Sequence, residues 1–474
     1  MVFSSALFLL YFFPIFFLVY FSIPSSFRNV FLLLASILFF CWGAPVFIGI
    51  ILLSIIIDFF IVQQISVSQN KKRKLFLFLS VFFNLSLLAY FKYANFFVDN
   101  INSIVSNWGA HGIVGWSSVI LPIGISFFTF KKISYTVDVY RGTHLPFRNI
   151  VNFALFILLF PELVAGPIVR FNEIADQITD RRAQETIDNK LLGLFRFIIG
   201  LSKKVLIANV LGAEVDKIFN SNILELSTPT AWLGIIAYTF QIYFDFSGYS
   251  DMAIGLAKMM GFTFPENFNN PYSAQSITEF WRKWHITLGN WMRDYLYIPL
   301  GGNKVGKFRS YFNLVIVFFL SGLWHGASWN FIAWGCFHGF FLIVDRMFLL
   351  KFYNSIGKIP SILITFFIVM MGWVFFRADS MSDAADYFYT LFCLDLSPDR
   401  LYFLTDFYFL LILAGCFSFA GVYKSFVRLE QVVFFDVYSN KKVVVVGFVC
   451  FILLFISVCS IVGLGFNPFI YYRF

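Results

Sequence analysis

Residues 46–66 read VFIGIILLSIIIDFFIVQQIS, an apolar stretch with a single charged side chain, Asp58. A helix needs about 20 consecutive apolar residues to cross the hydrocarbon core of a bilayer, so this stretch predicts a membrane-spanning helix. Similar apolar runs recur along the chain, at 5–23, 29–43, 75–97, 151–168, 190–211, 310–323, 327–345, 359–376, 402–422 and 443–465. The sequence therefore predicts many spans in succession.

The composition is that of an integral membrane protein. Hydrophobic residues make up 59% of the chain, charged residues 13%, and the mean hydropathy is +0.79, whereas soluble proteins carry about 25% charged residues. Because lipid offers no hydrogen bonds to an isolated strand, such segments form helices. We predict an all-α, polytopic membrane protein with about ten to twelve transmembrane or re-entrant helices around a central channel. No internal repeat or low-complexity linker occurs, so residues 1–474 are expected to form a single domain.

Basic residues cluster between the apolar runs, at Lys71–Lys74, Lys131-Lys132, Arg181-Arg182, Arg282–Arg309 and Lys441-Lys442. The positive-inside rule assigns such segments to the cytoplasm. The charges are scattered between spans and form no continuous stripe, so the net charge of +9 does not indicate nucleic-acid binding.

The same rule orients the two ends of the chain. Three apolar runs separate the uncharged N-terminus from Lys71–Lys74, which predicts an N-terminus at the outer face of the cytoplasmic membrane. One run follows Lys441-Lys442, so the tail that begins at Phe466 is also predicted at the outer face.

Two polar regions interrupt the apolar pattern, from Ser126 to Asn172 and from Gln241 to Arg309. We expect both to be irregular. The second mixes tryptophan and tyrosine with arginine and lysine, which is typical of short helices near the lipid headgroups. Irregular backbone at membrane depth must be buried in protein or line a water-filled cavity. The second region is therefore predicted to form the cytoplasmic wall of a pocket.

One histidine lies in an apolar stretch, His325 in FFLSGLWHGA at 318–327. An ionisable side chain at membrane depth usually faces a cavity or a partner, so His325 is a candidate catalytic residue. The alternative is a packing histidine that is hydrogen-bonded to a nearby carbonyl. His338 lies thirteen residues further on, about 20 Å away on one straight helix. It is therefore predicted to be structural, outside any site that contains His325.

Several segments carry a family resemblance in fixed order. They are QIYFDFSGYSDMAIG at 241–255, EFWRKWH at 279–285, RDYLYIPLGGN at 293–303 and LWHGA at 323–327, with SFFTF at 126–130, YTVDVYRG at 135–142 and VAGPIVR at 164–170 upstream. Together they resemble the membrane-bound O-acyltransferase family, in its bacterial alginate O-acetylase-like branch. The resemblance extends from the N-terminus through about Asp345 and includes the extreme C-terminus.

The resemblance implies acyl transfer from a thioester to a hydroxyl at two histidines that meet in a central channel, His325 and His285. His325 matches the family's defining histidine. Neutral imidazole accepts a proton well near physiological pH, so we predict His325 as the general base. His285 is expected to orient the donor or to support the charge on the carbonyl oxygen, with Asn290. The other expected substrate contacts are Trp324, Arg282, Lys283, Arg293 and Asp245.

These assignments have simpler alternatives. His285, beside Trp284 and Lys283, also fits an interfacial contact. The basic residues also fit plain cytoplasmic anchors, although a basic mouth would attract an anionic donor. The pair Asp245 and Asp251 is expected to shape a loop and to cap the helix that follows. No His or Cys pair has the short spacing that zinc sites favour, so no metal site is predicted.

The last residues, Phe469 to Phe474, form an aromatic tail. An aromatic belt that anchors the final span is one interpretation. The tail also resembles the Phe-x-Tyr-x-x-Phe ending of surface-polymer acylation systems, in which the tyrosine is proposed to hold the acyl group. In that interpretation Tyr471 is activated by His325 and becomes a covalent carrier.

The resemblance implies an O-acetyltransferase of the cytoplasmic (inner) membrane. Its expected donor is acetyl-CoA or another acyl thioester, without a bound cofactor, and its expected acceptor is alginate, peptidoglycan or another exopolysaccharide. A separate envelope-side acetyltransferase is the expected partner protein. Two alternatives stay open, D-alanyl transfer to teichoic acid from a carrier protein and a transporter that makes no covalent bond. Transporters usually consist of two similar halves, and no such symmetry is evident.

Overall fold

A computed structural model describes residues 2–108, 115–398, 401, 403, 405–436, 438–464 and 469–470. Within these ranges the regular secondary structure is helical, and a single antiparallel bridge joins Phe268 to Trp284. The α-helices are α1 Phe13–Ser22, α2 Arg28–Gly43, α3 Ile48–Val67, α4 Asn70–Leu88, α5 Ala94–Asn107, α6 Ile125–Arg141, α7 Ile150–Leu158, α8 Phe171–Thr179, α9 Ile187–Ser202, α10 Asn209–Phe219, α11 Thr228–Met259, α12 Ile277–Lys283, α13 Ile286–Met292, α14 Lys307–His325, α15 Trp329–Val344, α16 Leu350–Ile356, α17 Lys358–Arg377, α18 Met381–Phe392, α19 Thr405–Phe419, α20 Lys424–Phe434 and α21 Asn440–Leu464. The expectation of an all-α chain is confirmed.

In the described part of the chain, seven helices are long and apolar enough to cross a membrane. They are Ser25–Gly43, Pro45–Val67, Asn70–Asn107, Trp329–Ile356, Lys358–Arg377, Thr405–Val422 and Asn440–Gly463. The shorter apolar helices Phe8–Ser22 and Ile150–Glu162 accompany them. The polytopic membrane architecture predicted from the apolar runs is therefore confirmed.

Helix α11 lies at the centre of the helical bundle. Every side chain from Ile242 to Ala257 is buried, and α11 packs against α9, α10, α17, α18 and α19. Polar residues of membrane helices face the bundle interior rather than lipid, so a helix surrounded by other helices can carry many of them. The prediction that the second polar region is irregular was wrong for its first part, because residues 241–259 belong to the regular helix α11.

Four glycines bring α9 and α11 into close contact. A Cβ atom on Gly193 would lie 2.6 Å from the carbonyl oxygen of Gly255, and one on Gly200 would lie 2.6 Å from the carbonyl oxygen of Gly248. Each pair of glycines is spaced seven residues apart on its own helix, which returns them to the same face. Small residues at such positions let helix backbones approach closely within a membrane.

Helix α6 carries two buried lysines. Lys131 lies 2.8 Å from a carboxylate oxygen of Glu162, and Lys132 lies 3.4 Å from a carboxylate oxygen of Asp58. The prediction of a cytoplasmic basic loop at Lys131-Lys132 was therefore wrong. The first polar region, predicted as irregular, also contains α6 and α7. Buried cations of this kind are retained where a carboxylate compensates their charge.

We predict that Gly200→Ala lowers the free energy of unfolding by about 1–3 kcal/mol, because the added methyl forces α9 away from α11. Gly49→Ala is the matched control, since a Cβ atom there meets nothing within 4 Å. The melting temperatures of the purified variants in detergent measure the effect. Equal melting temperatures for the two variants would contradict the glycine contact.

Candidate active site

His325 is the last residue of α14, immediately before the turn into α15. Two glycines hold these helices together near the turn. A Cβ atom on Gly322 would lie 2.2 Å from the carbonyl oxygen of Phe331, and one on Gly335 would lie 2.3 Å from that of Phe318. No larger side chain fits either place without a shift of the backbone. The close contact fixes the end of α14, and with it the position of His325.

Aromatic rings surround the His325 imidazole. Its ring centroid lies 4.9 Å from that of Trp334 and 5.3 Å from that of Phe376, both in edge-on orientations. Trp324, the preceding residue, lies 5.0 Å away. Edge-to-face contacts of this kind restrict how a ring can turn. His325 is thus buried, with a side-chain orientation set by its neighbours.

A lysine side chain caps the C-terminal end of α14. The ammonium of Lys92 donates to the backbone carbonyl of Trp324 and lies 3.3 Å from the carbonyl oxygen of His325 and 3.3 Å from the hydroxyl of Ser126. The Tyr93 hydroxyl donates to the carbonyl of Leu323 at 2.8 Å. The last carbonyls of a helix lack partners within the helix and carry partial negative charge, so a cation stabilises them.

His285 lies between α12 and α13 in a left-handed backbone conformation, with φ of 46°. The segment before α13 is held by an extended pairing with residues 267–269. The Asn269 amide donates to the carbonyl of Lys283, and the Ile286 amide donates to the carbonyl of Asn267, each at 2.9 Å. A left-handed non-glycine residue is strained and persists only where its surroundings require it. The pairing directs the His285 side chain into the protein, where it is buried.

The two imidazoles lie close together. Their ring centroids are 6.4 Å apart, and Trp324 lies 6.0 Å from His285. Phe246 of α11 also contacts His285, edge-on at 4.7 Å between ring centroids. Forty residues of sequence separate the two histidines, so α11 to α15 together form this arrangement.

Three cavities lie at or near the paired histidines. The first, of about 200 Å³, is lined by His325, Trp324, Lys92 and residues 121–127. A second, of about 280 Å³, is lined by Asn267 and Ile286, the neighbours of His285, together with residues of α11 and α20. A third, of about 280 Å³, is lined by Tyr238, residues 326–328, Phe376 and Ile470.

The predicted substrate contacts divide into two groups. Trp324 lies beside both histidines, whereas Arg282 and Arg293 are exposed. Lys283 is paired with Glu279 at 2.8 Å, and Arg293 is paired with the adjacent Asp294 at 2.7 Å. Asn290 lies half-buried on α13. Of the predicted substrate contacts, Trp324 is the one whose ring touches both imidazoles.

Asp245 has a structural partner on each side. Its carboxylate lies 2.5 Å from the ammonium of Lys204 and accepts the backbone N–H of Ile470 at 2.8 Å. Because Asp245 and Asp251 both lie within α11, the prediction that they shape a loop and cap a helix was wrong. Asp251 forms ion pairs with Arg196 and Lys203, at 2.9 and 2.8 Å. Buried carboxylates in mid-helix need such cations.

The described C-terminal residues, Phe469 and Ile470, pack on α11. Phe469 lies 4.9 Å from Tyr249 and 6.1 Å from Phe246 between ring centroids. Phe469 and Ile470 are both buried. Tyr471, the predicted acyl carrier, lies outside the described residues.

His338 is closer to His325 than a straight helix would allow. The chain reverses at residues 326–328, so the premise of one continuous helix was wrong. His338 lies 5.1 Å from Trp334 between ring centroids, and Trp334 lies 4.9 Å from His325. The indole of Trp334 therefore contacts both imidazoles.

Fold and site together describe an integral membrane protein with two adjacent buried histidines, one of which lines a cavity. The model of the membrane-bound O-acyltransferase family (MBOAT) matches residues 73–378. The chain belongs to this family, as the sequence motifs predicted, and it is an acyltransferase.

Similar proteins include the probable alginate O-acetylase AlgI of Azotobacter vinelandii, which is 46% identical over 81% of this chain and 76% of its own length. The peptidoglycan O-acetyltransferase of Helicobacter pylori is 38% identical over 81% of this chain and 78% of its own length. The teichoic acid D-alanyltransferase of Bacillus subtilis is 30% identical over 55% of this chain and 69% of its own length.

Two residues near the site were missed in the sequence. Lys92 is a lone cation within the apolar run 75–97, a signal that indicates a function or a specific partner. The amide oxygen of Asn267 lies 3.0 Å from the Nδ1 atom of His285. Nothing in the sequence distinguishes this asparagine from Asn269 and Asn270, because the contact arises from tertiary folding.

We predict that Lys92→Met lowers the rate of acyl transfer in membranes about tenfold or more, because charge-assisted hydrogen bonds to the end of α14 are lost. Lys71→Met is the matched control, an exposed lysine in the first turn of the same continuous helix. Transfer from a radiolabelled acyl thioester, at equal amounts of folded protein, measures the effect. Equal rates in both variants would show that the Lys92 cap does not support the site.

Proposed function

We propose that the protein is an O-acetyltransferase that transfers acetyl groups from acetyl-CoA to hydroxyl groups of a cell-envelope polysaccharide. The observation that carries the proposal is the 6.4 Å separation of the two buried imidazoles, His285 and His325, in a chain of an acyltransferase family. Relatives named for alginate and peptidoglycan O-acetylation each match 81% of this chain. The match to the D-alanyltransferase is shorter and weaker, which favours acetyl over D-alanyl transfer.

The chemistry assigns His325 as the general base. The acceptor hydroxyl attacks the thioester carbonyl, and the His325 imidazole takes the hydroxyl proton. The carbon–sulfur bond then breaks, an ester forms, and the proton passes to the departing thiolate, which leaves as free coenzyme A. General-base catalysis of this kind contributes about 10²–10⁴-fold to a rate.

The cavities support access from two directions. Lys92, in the wall of the cavity at His325, lies twenty-two residues along the continuous helix Asn70–Asn107 from its first residue, and that length of α-helix spans about 33 Å from the end predicted to be cytoplasmic. We assign the cavity beside α20 to the thioester donor on the cytoplasmic side. The cavity of Lys92 and His325 is assigned to the acceptor on the outer side, where a separate envelope-side acetyltransferase would receive the acetyl group.

The C-terminal tail is proposed as the last carrier. Its buried residues Phe469 and Ile470 contact α11, two residues and one residue before Tyr471. In this proposal His325 removes the phenolic proton, the Tyr471 oxygen takes the acetyl group from the thioester, and coenzyme A leaves with the proton. Tyrosine can act as a covalent nucleophile when an adjacent base activates it.

Purified protein given acetyl-CoA with a radiolabelled acetyl group tests the proposal. We expect release of free coenzyme A and covalent label on the chain, and we expect His325→Ala to abolish both. His144→Ala is the control, a histidine in the connection between α6 and α7. Turnover in His325→Ala equal to that of the control would refute the assignment.

The same assay distinguishes transfer through Tyr471 from direct transfer to the acceptor hydroxyl. Tyr471→Phe should remove the covalent label, because the ester oxygen is absent, while Tyr472→Phe should retain it. If Tyr471→Phe keeps the label and acetylates its acceptor at the normal rate, the tail is an anchor and His325 delivers the acetyl group directly.

The proposed orientation is tested by cysteine labelling. In a chain whose six cysteines are replaced by serine, Lys72→Cys should react with a membrane-impermeant maleimide only after permeabilisation. Ser106→Cys, at the opposite end of the continuous helix Asn70–Asn107, should react in intact spheroplasts. The reverse pattern would invert the chain and place the donor cavity at the outer face.

A further inference from the structure

A chain of hydrogen bonds that begins on the backbone ends on His285. The backbone N–H of Ile168 donates to the Thr287 hydroxyl oxygen at 2.9 Å. The Thr287 hydroxyl lies 2.9 Å from the amide oxygen of Asn267, and that oxygen lies 3.0 Å from Nδ1 of His285. Three segments distant in sequence thus converge on one imidazole.

The direction of each hydrogen bond follows from its first donor. A backbone N–H can only donate, so the Thr287 oxygen accepts from Ile168 and its own hydrogen is available for Asn267. The backbone N–H of Thr287 also points to the same amide oxygen, at 3.4 Å. The Asn267 amide nitrogen donates in turn to the Ser250 hydroxyl at 3.0 Å. With these partners the oxygen, not the nitrogen, of the amide faces His285.

The tautomer of His285 is then determined. An atom that faces an acceptor oxygen at hydrogen-bond distance must carry the hydrogen, so Nδ1 is protonated. A neutral imidazole carries only one N–H, which leaves a lone pair on Nε2. Among the residues that the structure describes, Nε2 of His285 has no hydrogen-bond partner. It is a buried acceptor atom without a donor.

We propose that Asn267 is a positioning residue that holds His285 in the Nδ1–H tautomer, so that Nε2 stays a bare hydrogen-bond acceptor inside the site. The proposal rests on the proposed function, because it assigns a role within the same site. A ring nitrogen without a hydrogen cannot donate to a carbonyl oxygen. His285 therefore does not stabilise the oxyanion, one of its two roles predicted from the sequence. Its bare Nε2 fits the other predicted role, which is to orient the thioester donor, and the hydroxyl proton is left to His325.

The tautomer is measured independently of activity. The chain has five histidines, so magic-angle spinning spectra of ¹³C,¹⁵N-histidine-labelled protein in lipid bilayers resolve them, and His285→Gln identifies the His285 signal. We expect a protonated Nδ1 and a bare Nε2 in the unmodified protein. Nδ1 should stay protonated in Asn267→Asp, which keeps the acceptor oxygen, and lose its fixed proton in Asn267→Leu. A hydrogen on Nε2 alone in the unmodified protein, or an unchanged tautomer in Asn267→Leu, would overturn the proposal.

Kinetics separate positioning from a merely structural role. Asn267→Leu should lower kcat for acetyl-CoA turnover about tenfold to a hundredfold, as loss of an orienting partner does elsewhere, with a smaller change in KM. Asn313→Leu is the matched control, a buried asparagine whose amide donates to the carbonyl of Leu300 at 3.1 Å and which lines none of the three cavities described above. Normal kcat in folded Asn267→Leu, or an equal loss in Asn313→Leu, would contradict the proposal.

Two further measurements keep the test decisive. If Asn267→Leu does not fold, Thr287→Val takes its place, because it removes the hydroxyl that links Ile168 to Asn267. The Nδ1–H tautomer of His285 should then no longer be fixed, whereas Thr287→Ser should preserve it. If the unmodified protein releases no coenzyme A, the proposed function fails, while the spectra still decide whether Asn267 fixes the His285 ring.

Discussion

Charges buried within the helical bundle are held in place by charges of opposite sign on neighbouring segments. Arg196 of α9 lies between Asp251 and Glu266, at 2.9 and 2.5 Å, and Lys204 compensates Asp245. A buried ion without its partner costs several kcal/mol, far more than an exposed one. These pairs therefore fix the rotation of α11 against α9, and the position of the site depends on that rotation because Phe246 of α11 contacts His285.

Much of the fold follows from apolar run length alone, because lipid-facing helices must be apolar over about 20 residues. The run at 46–66 corresponds to α3, and the run at 75–97 lies within the continuous helix Asn70–Asn107. The same reasoning fails for α11, whose polar residues face protein and resemble a loop in sequence. It fails for Lys131 and Lys132 as well, because their carboxylate partners, Glu162 and Asp58, are remote in the chain.

The site was predictable where a residue is anomalous in its local sequence. His325 is a titratable ring in an apolar stretch, and His285 follows from the family motif. Arg282 and Arg293 follow the same motif but are exposed, since motif membership does not specify which way a side chain points. The role of Asn267 depends on hydrogen bonds to Thr287 and His285 that only the folded chain creates.

The two histidines are held by different means, and both restrict motion. His325 ends a helix fixed by glycine contacts and by the Lys92 cap, while His285 is held by a strained backbone and by the Asn267 amide. Catalytic groups that are fixed in advance need no reorganisation during the reaction.

With both rings fixed, the substrates must be the groups that move during acyl transfer. The hydrogen bond from Ile470 to Asp245 attaches the described end of the chain to α11. Phe469 packs against Phe246, the same residue that contacts His285. The C-terminal segment and the site therefore depend on one level of α11, and a change in the packing of Phe246 would reach both.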